Sequence, residues 1–523
     1  MNGSTAKRSV MLALAALLAV IGMAIFARAW LGHSPLIPTR TVLNLEGFFA
    51  LAAIILVTLG AHGADRSAST AWSRRDLALA SLVAVLAIGA FASTRGFYFV
   101  SDDFLTLDHA QAHFSLAWLR QLLTTPGGDG HFGPLVYLFN LLCWRRFHAD
   151  YAAWHWVGYA IHAVNCVLVY ALASALGYAM RARMLASALF AIHGSRPEPV
   201  VWITAHFDLL STFCVLAALV CLLRGLASSR RAIYFAAMLL FMVAGMLSKE
   251  AAFACPFLAL LLIATRSKNA RREIPIAAAI CAVAAAVFMY RWILFGGIGG
   301  YLDASGRPQF LSLTPLVVVK SLGLRLWSSL FFPLNWSVPV GKFLAVAMAV
   351  YVAALTALFF SAAISRRRVI ETVGFTFFAA LPIVSRLLIP ADAEGSRILY
   401  LPSIGLCLLA GTLIENLRRK AAYTAAAAIL IFHADALQHN LLPWAAASAT
   451  VRQTCQAVAT CKRPAAKVIG LPRKIDGAYT FANGFAECVA MQPGAQVRVD
   501  ENSQDACVFT WDESAKTVRQ LTR

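Results

Sequence analysis

Ser101-Asp102-Asp103-Phe104 sets two carboxylates side by side directly after an apolar segment. An ionised carboxyl this close to a hydrocarbon boundary is expensive to hold without a partner, so the pair points to chemistry. A carboxylate so placed can act as a general base, taking the proton of a hydroxyl as that hydroxyl attacks. A structural reading stands beside it: Asp at a helix start accepts backbone N–H bonds, and the 104–123 stretch that follows has a helical pattern. Three further polar groups interrupt apolar runs. His193-Gly194-Ser195-Arg196-Pro197-Glu198-Pro199 is followed by His206 and Asp208. Ser248-Lys249-Glu250 occupies a tight turn, and Asp392, Glu394, Arg397 and Tyr400 precede a later span, with Arg386 nearby. Cations in such places suit an anion whose tail stays in lipid, Arg binding phosphate through paired donors and Lys through point charge. With a base alongside, the set serves inverting transfer of a sugar from a lipid phosphate. The same inventory serves a proton-coupled transporter, and a structural reading of Lys249 and Glu250, as solvated turn residues or as partners of Asp208, stands beside the functional one.

The elements that must position these residues are membrane helices. Of 523 residues 60% are hydrophobic and 13% charged, and the mean hydropathy is +0.70, which excludes a soluble protein. The net charge of +20 falls in short clusters between apolar runs, the mark of cytoplasmic loops and not of a nucleic-acid-binding face. Lys7 and Arg8 before the 10–30 run predict a retained signal-anchor helix. With these two inside, every later basic cluster falls inside as well: Arg66, Arg74 and Arg75; Arg181 and Arg183; Arg230 and Arg231; Lys268, Arg271 and Arg272; Arg366 to Arg368; and Arg418 to Lys420. The count is about thirteen spans, at the roughly 20 residues each that a bilayer demands. The expected fold class is therefore an all-α polytopic membrane protein with a small β-rich exterior C-terminal domain.

Three regions follow: N-terminal spans over 1–94, a membrane core over 95–437 with outer loops at 95–153 and 296–342, and an exterior domain over 438–523. In the first loop a Pro-Gly-Gly-Asp-Gly break at 126–130 separates the 104–123 helix from an aromatic-rich amphipathic piece at 131–147, expected at the interface. In the second, the Gly-rich turn at 296–300 predicts a hinge, because it follows no strand and opens no Rossmann-like unit. The apolar 311–334 run, broken by Lys320 and Arg325, predicts an interfacial helix. Glu46 either faces a neighbouring helix or sits at the interface. Cys455, Cys461, Cys488 and Cys507 lie in the exterior domain, where an oxidising compartment permits disulfides in any of three connectivities. Paired acids could hold a divalent cation, but the cations already present can neutralise a phosphate, and the cysteine spacing is no zinc pattern.

The ordered set Asp102-Asp103, His193 to Asp208, Ser248-Lys249-Glu250 and Ser396-Arg397-Ile398-Leu399-Tyr400-Leu401-Pro402-Ser403-Ile404-Gly405 resembles the membrane part of GT-C glycosyltransferases. It is closest to protein O-mannosyltransferase-like enzymes whose membrane part is followed by tetratricopeptide repeats, and the resemblance covers about 95–440. It implies a GT-C-like fold and a catalytic base at Asp102 or Asp103. It implies a polyprenyl-phosphate-linked sugar as donor, mannose-like, and a protein or glycan hydroxyl as acceptor. Lys249, Arg397 and Arg196 would meet the donor phosphate, with His193, Glu198, His206, Asp208, Glu250 and Tyr400 supporting the site. The family's His-Pro-x-His stands here as His193-Gly194-Ser195-Arg196, and no tetratricopeptide period follows 440. An inner membrane with the site and C-terminus periplasmic is the expected location. The alternative is a transporter or flippase of a lipid-linked glycan, for which charges at span ends and the lack of a two-fold repeat are unfavourable signs.

Overall fold

The computed structural model describes residues 3–31, 38–61, 72–127, 131–300, 305–361 and 364–521. Arg66 and residues 128–130 of the Gly-rich break lie outside the described residues. Eight helices among the described residues are long and apolar enough to cross a membrane: Val10–Leu31, Thr39–Gly60, Tyr151–Ala175, Ile203–Ala227, Ala270–Phe295, Lys342–Ser361, Arg366–Arg386 and Arg419–Ala459. Arg231–Met246 and Ser403–Glu415 are shorter apolar helices. The protein is thus a mostly helical integral membrane protein, with fewer full-length spans than the thirteen expected. Apolar runs read as whole spans are divided by short 3₁₀ turns. The run after Met246 passes through Glu250–Ala254 before the 12-residue helix Cys255–Arg266, and the third expected span ends at Gly89, ahead of the turn Ala92–Gly96.

Tyr151–Ala175 packs on both Met180–Ile192 and His206–Ala227, and Ser403–Glu415 packs on Met180–Ile192. Here small residues and aromatic rings such as Trp154, Tyr159, Tyr170 and Phe190 fill the interior. Glu46 in the second helix does face a neighbour: fully buried, it accepts hydrogen bonds from Ser328 Oγ at 3.2 Å and Trp336 Nε1 at 3.0 Å. The 311–334 run forms Pro315–Lys320, a π-helical turn Ser321–Arg325 and Leu326–Phe331, packed against that second helix.

In the 95–153 segment the expected 104–123 helix is two helices, Asp103–Ala110 and Leu116–Thr124. The break is at Ser115, whose side chain caps the second by accepting from the Trp118 N–H at 3.0 Å. The aromatic-rich piece is the helix Pro134–Phe147.

The composition change near 438 does not coincide with the end of a helix. Arg419–Ala459 runs unbroken for 41 residues, and only beyond it does a small mixed sheet begin. Its strand order is Arg498–Val499, Ala465–Ile469, Ala506–Asp512, Thr517–Leu521, with the first two pairings parallel and the last antiparallel. A separate hairpin pairs Lys474–Ile475 with Ala478–Tyr479. Its turn is Asp476-Gly477, both at positive φ (45° and 88°), the two-residue geometry that Asp-Gly favours. Of the three possible connectivities, the disulfides are Cys455–Cys488 and Cys461–Cys507, which fasten the sheet and the small helix Phe485–Ala490 to the end of the long helix.

Candidate active site

The two adjacent aspartates have different surroundings. Asp103 is 1% exposed: Oδ1 accepts from the Thr204 N–H at 2.8 Å and its hydroxyl at 3.0 Å, and Oδ2 accepts from the Val100 N–H at 3.1 Å. Burial pushes its carboxyl up to about 7, against the pull of the Thr204 and Val100 donors. Asp103 therefore ties the 95–153 segment to the turn Ile203–Ala205. Asp102, at the start of the Asp103–Ala110 helix, makes no side-chain capping bond and lines a cavity of about 900 Å³. One of its oxygens, Oδ1, accepts from Asn483 Nδ2 at 2.6 Å. The chain enters the pair through Ser101 in the left-handed region, φ 49°, a conformation costing on the order of 1–3 kcal/mol. It is held there by the Ser101 N–H, which donates to the Thr480 carbonyl at 2.9 Å.

Lys249 and Arg397 reach the same cavity from turns 148 residues apart in the chain. Each is braced from behind by carboxylates: Lys249 Nζ donates to Asp208 Oδ2 at 2.5 Å, and Arg397 donates to Glu198 and approaches Asp208 at 3.9 Å. The Arg397 guanidinium lies 4.7 Å over the Trp202 ring, and Nη1 donates to the Tyr479 hydroxyl at 3.1 Å. This fixes the plane of the fork and the direction of its remaining donors. Glu250, also on the cavity wall, is bridged by His131 Nδ1 at 3.3 Å and Arg291 at 2.7 Å. Burial alone would raise its carboxyl, but His131 and Arg291 outweigh it and hold Glu250 well below the usual carboxylate range. Trp118, Tyr137 and Phe207 supply an aromatic wall.

The structure thus brings together Asp102, Lys249, Glu250 and Arg397, with Glu198 and Asp208 directly behind. It does not bring the others to the cavity. Arg196 is fully buried, held between the rings of Phe190 (4.3 Å) and Tyr400 (4.7 Å). It donates to the Phe190 carbonyl and Ser403 Oγ, so its cation is spent on packing and not aimed at the cavity. His193 stacks on His433 at 4.6 Å and bonds Leu330 O. Tyr400 bonds His162 at 2.7 Å, and His206 stacks on Trp154; all three are interior residues. His131, Arg291, Trp202, Tyr479 and Asn483 are site residues that sequence reasoning did not single out. Asp476-Gly477 could have signalled the hairpin that carries Tyr479, but nothing local signals Asn483, which is 381 positions from its partner. Among the described residues no group of three or more His, Cys, Asp or Glu side chains is placed to hold a metal.

The basic clusters expected inside meet at the other ends of these same helices. Arg183 pairs with Asp76 at 2.9 Å and Arg231 with Glu273; Arg266, outside the clusters named from sequence, pairs with Glu371 at the same ends. Arg181 donates to the Glu415 carbonyl and Arg368 to that of Leu176.

No protein-family model matches the chain, and no curated protein does. Among solved structures it is similar to ArnT from Cupriavidus metallidurans bound to undecaprenyl phosphate, with 14% identity over 84% of this chain and 93% of that one, at a TM-score of 0.37. The apo state of the same protein gives 0.36. The archaeal oligosaccharyltransferase AglB from Archaeoglobus fulgidus, in complex with an inhibitory peptide and a dolichol-phosphate, is similar at 14% identity over 70% of this chain and 50% of that one, with a TM-score of 0.34.

Proposed function

We propose that this protein is an inverting glycosyltransferase of the GT-C kind, moving a mannose-like hexose from a polyprenyl-phosphate donor to a hydroxyl on a protein or glycan. The observation that supports it most is a single cavity lined by the Asp102 carboxylate and by the cations Lys249 and Arg397. Asp102 takes the acceptor's proton as its oxygen attacks C1 of the sugar. The bond from C1 to the phosphate oxygen breaks in the same displacement, which inverts C1, and the phosphate leaves with the electron pair. Lys249 and Arg397 meet the charge that develops on the leaving phosphate, and Asp208 and Glu198 keep both cations in place. The site lies at the outer, periplasmic face of a bacterial inner membrane in this reading, where the donor's tail stays in lipid and the acceptor arrives from water.

The test is transfer of labelled sugar from polyprenyl-phosphate donors by membranes containing the intact protein, Asp102→Asn or Asp103→Asn at equal abundance. Asp102→Asn is expected to lose about 10²-fold or more, the range for a general base, while still binding donor; Asp103→Asn is expected to lose less. If Asp102→Asn transfers normally while passage of a lipid-linked glycan across the membrane depends on the protein, the chain is a transporter.

A further inference from the structure

We propose that the C-terminal segment completes the active site, with Asn483 the residue that positions the base. This rests on the reading of Asp102 as that base. The turn 478–484 meets both working parts of the cavity. Asn483, itself on the cavity wall, donates to Asp102 Oδ1 at 2.6 Å, and Tyr479 takes a hydrogen bond from Arg397 Nη1 at 3.1 Å while its ring lies 4.7 Å from that of Trp202.

The approach is built into the backbone. Gly484 has φ +72°, and a Cβ there would come within 2.6 Å of the Ser101 carbonyl oxygen, so only glycine lets the turn reach the strained residue before Asp102. The Thr480 carbonyl accepts the Ser101 N–H. Four further contacts seat the segment on the 95–153 and 296–342 loops and on the turn that carries Arg397. Asn335 Nδ2 donates to the Asp476 carbonyl at 2.7 Å and Gln492 Nε2 to the Tyr98 hydroxyl at 2.9 Å. Lys474 bridges Asp392 at 2.7 Å and Glu394 at 2.5 Å.

A domain that only stabilised the membrane part would not need to bond two of the charged side chains that face the cavity, Asp102 and Arg397. A carboxylate with one oxygen held by a neutral amide keeps its charge and presents its second oxygen in a fixed direction, which is what a base must do to meet a hydroxyl in line with attack.

The experiment uses the purified full chain with polyprenyl-phosphate-linked hexose and compares Asn483→Ala, Asn483→Asp and Tyr479→Phe with wild type. Asn483→Ala is expected to lower kcat about 10-fold with donor KM within twofold and the thermal midpoint unchanged. Asn483→Asp, which sets a second carboxylate against Asp102, is expected to lower kcat further. Tyr479→Phe, which loosens the cation that meets the developing phosphate charge, is expected both to raise donor KM and to lower kcat. An Asp102→Cys/Asn483→Cys pair that forms a disulfide supports the juxtaposition without recourse to activity. If wild type transfers sugar and Asn483→Ala matches it, the positioning role is overturned and the transferase reading stands. If wild type transfers nothing, both fall.

Discussion

Asp102 and Asp103 differ in nothing a sequence records except their order, yet one faces a cavity and the other is buried. The separation comes from Thr204, which supplies two donors to Asp103 from 101 positions away, and from Asn483, which holds Asp102 from 381 positions away. Both causes are tertiary, so the pair was legible as a pair and its division of labour was not. The buried member has a consequence for stability. In the unfolded chain Asp103 loses its proton near the ordinary ~3.9, whereas in the folded protein it does so at about 7. Between these values the folded state binds more protons, so raising the pH works against the fold. The contribution is complete below pH ~4 and lost as the pH rises through about 7. In detergent, the thermal midpoint of wild type should decline across this window relative to Asp103→Asn, which cannot ionise. Parallel curves for the two proteins would show that Asp103 does not titrate there. Arg196 teaches the converse lesson. A buried cation between two rings and a cation on a phosphate look alike in a motif, and only the packing of Phe190 and Tyr400 separates them.

At the scale of elements, membrane helices were the most legible feature because length and apolarity are properties of contiguous sequence. Their number was overestimated where an apolar run holds only a short helix, as on either side of the turn Glu250–Ala254, whose flanking helices have 16 and 12 residues. The long helix Arg419–Ala459 outruns the boundary drawn at 438 because its second half grows polar while its backbone pattern continues. Four cysteines implied disulfides, but their pairing depends on where Phe485–Ala490 docks. The bridges close loops with sequence separations of 33 and 46, for which chain-entropy arguments give about 4 kcal/mol each. Replacing Cys455 and Cys488 by Ser in the full chain should therefore loosen the outer segment and leave the membrane helices folded. Limited proteolysis is expected to cleave within 470–500 in the variant and not in wild type, with helical circular dichroism unchanged. Equal resistance in both would mean that the docking contacts suffice without the bridge.

For the molecule as a whole, the residues expected outside and those expected inside gather at opposite ends of shared helices. In Arg231–Met246, Arg231 pairs with Glu273 at one end, and the chain leaving the other end delivers Lys249 to the cavity. The alternation of basic clusters made this polarity readable without any knowledge of tertiary contacts. Which contacts close each end was not readable. A sidedness experiment follows: a membrane-impermeant thiol reagent applied to spheroplasts should label a cysteine placed at the exposed Ser514, and should label one at the exposed Ser229 only after permeabilisation. The reverse pattern would invert the protein and place the cavity at the cytoplasmic face.

The 41-residue helix has one more consequence. At ~1.5 Å per residue it is about 60 Å long, roughly twice the hydrocarbon thickness, so it is a mast as well as a span. Everything mounted on its tip inherits its azimuth, which advances by about 100° with each residue. Adding one residue midway would swing the sheet and Asn483 through more than a quarter turn about the mast, away from Asp102. Adding seven would nearly restore the bearing but raise the tip by about 10 Å. Such a mast tolerates substitution along its length far better than any change in its number of residues.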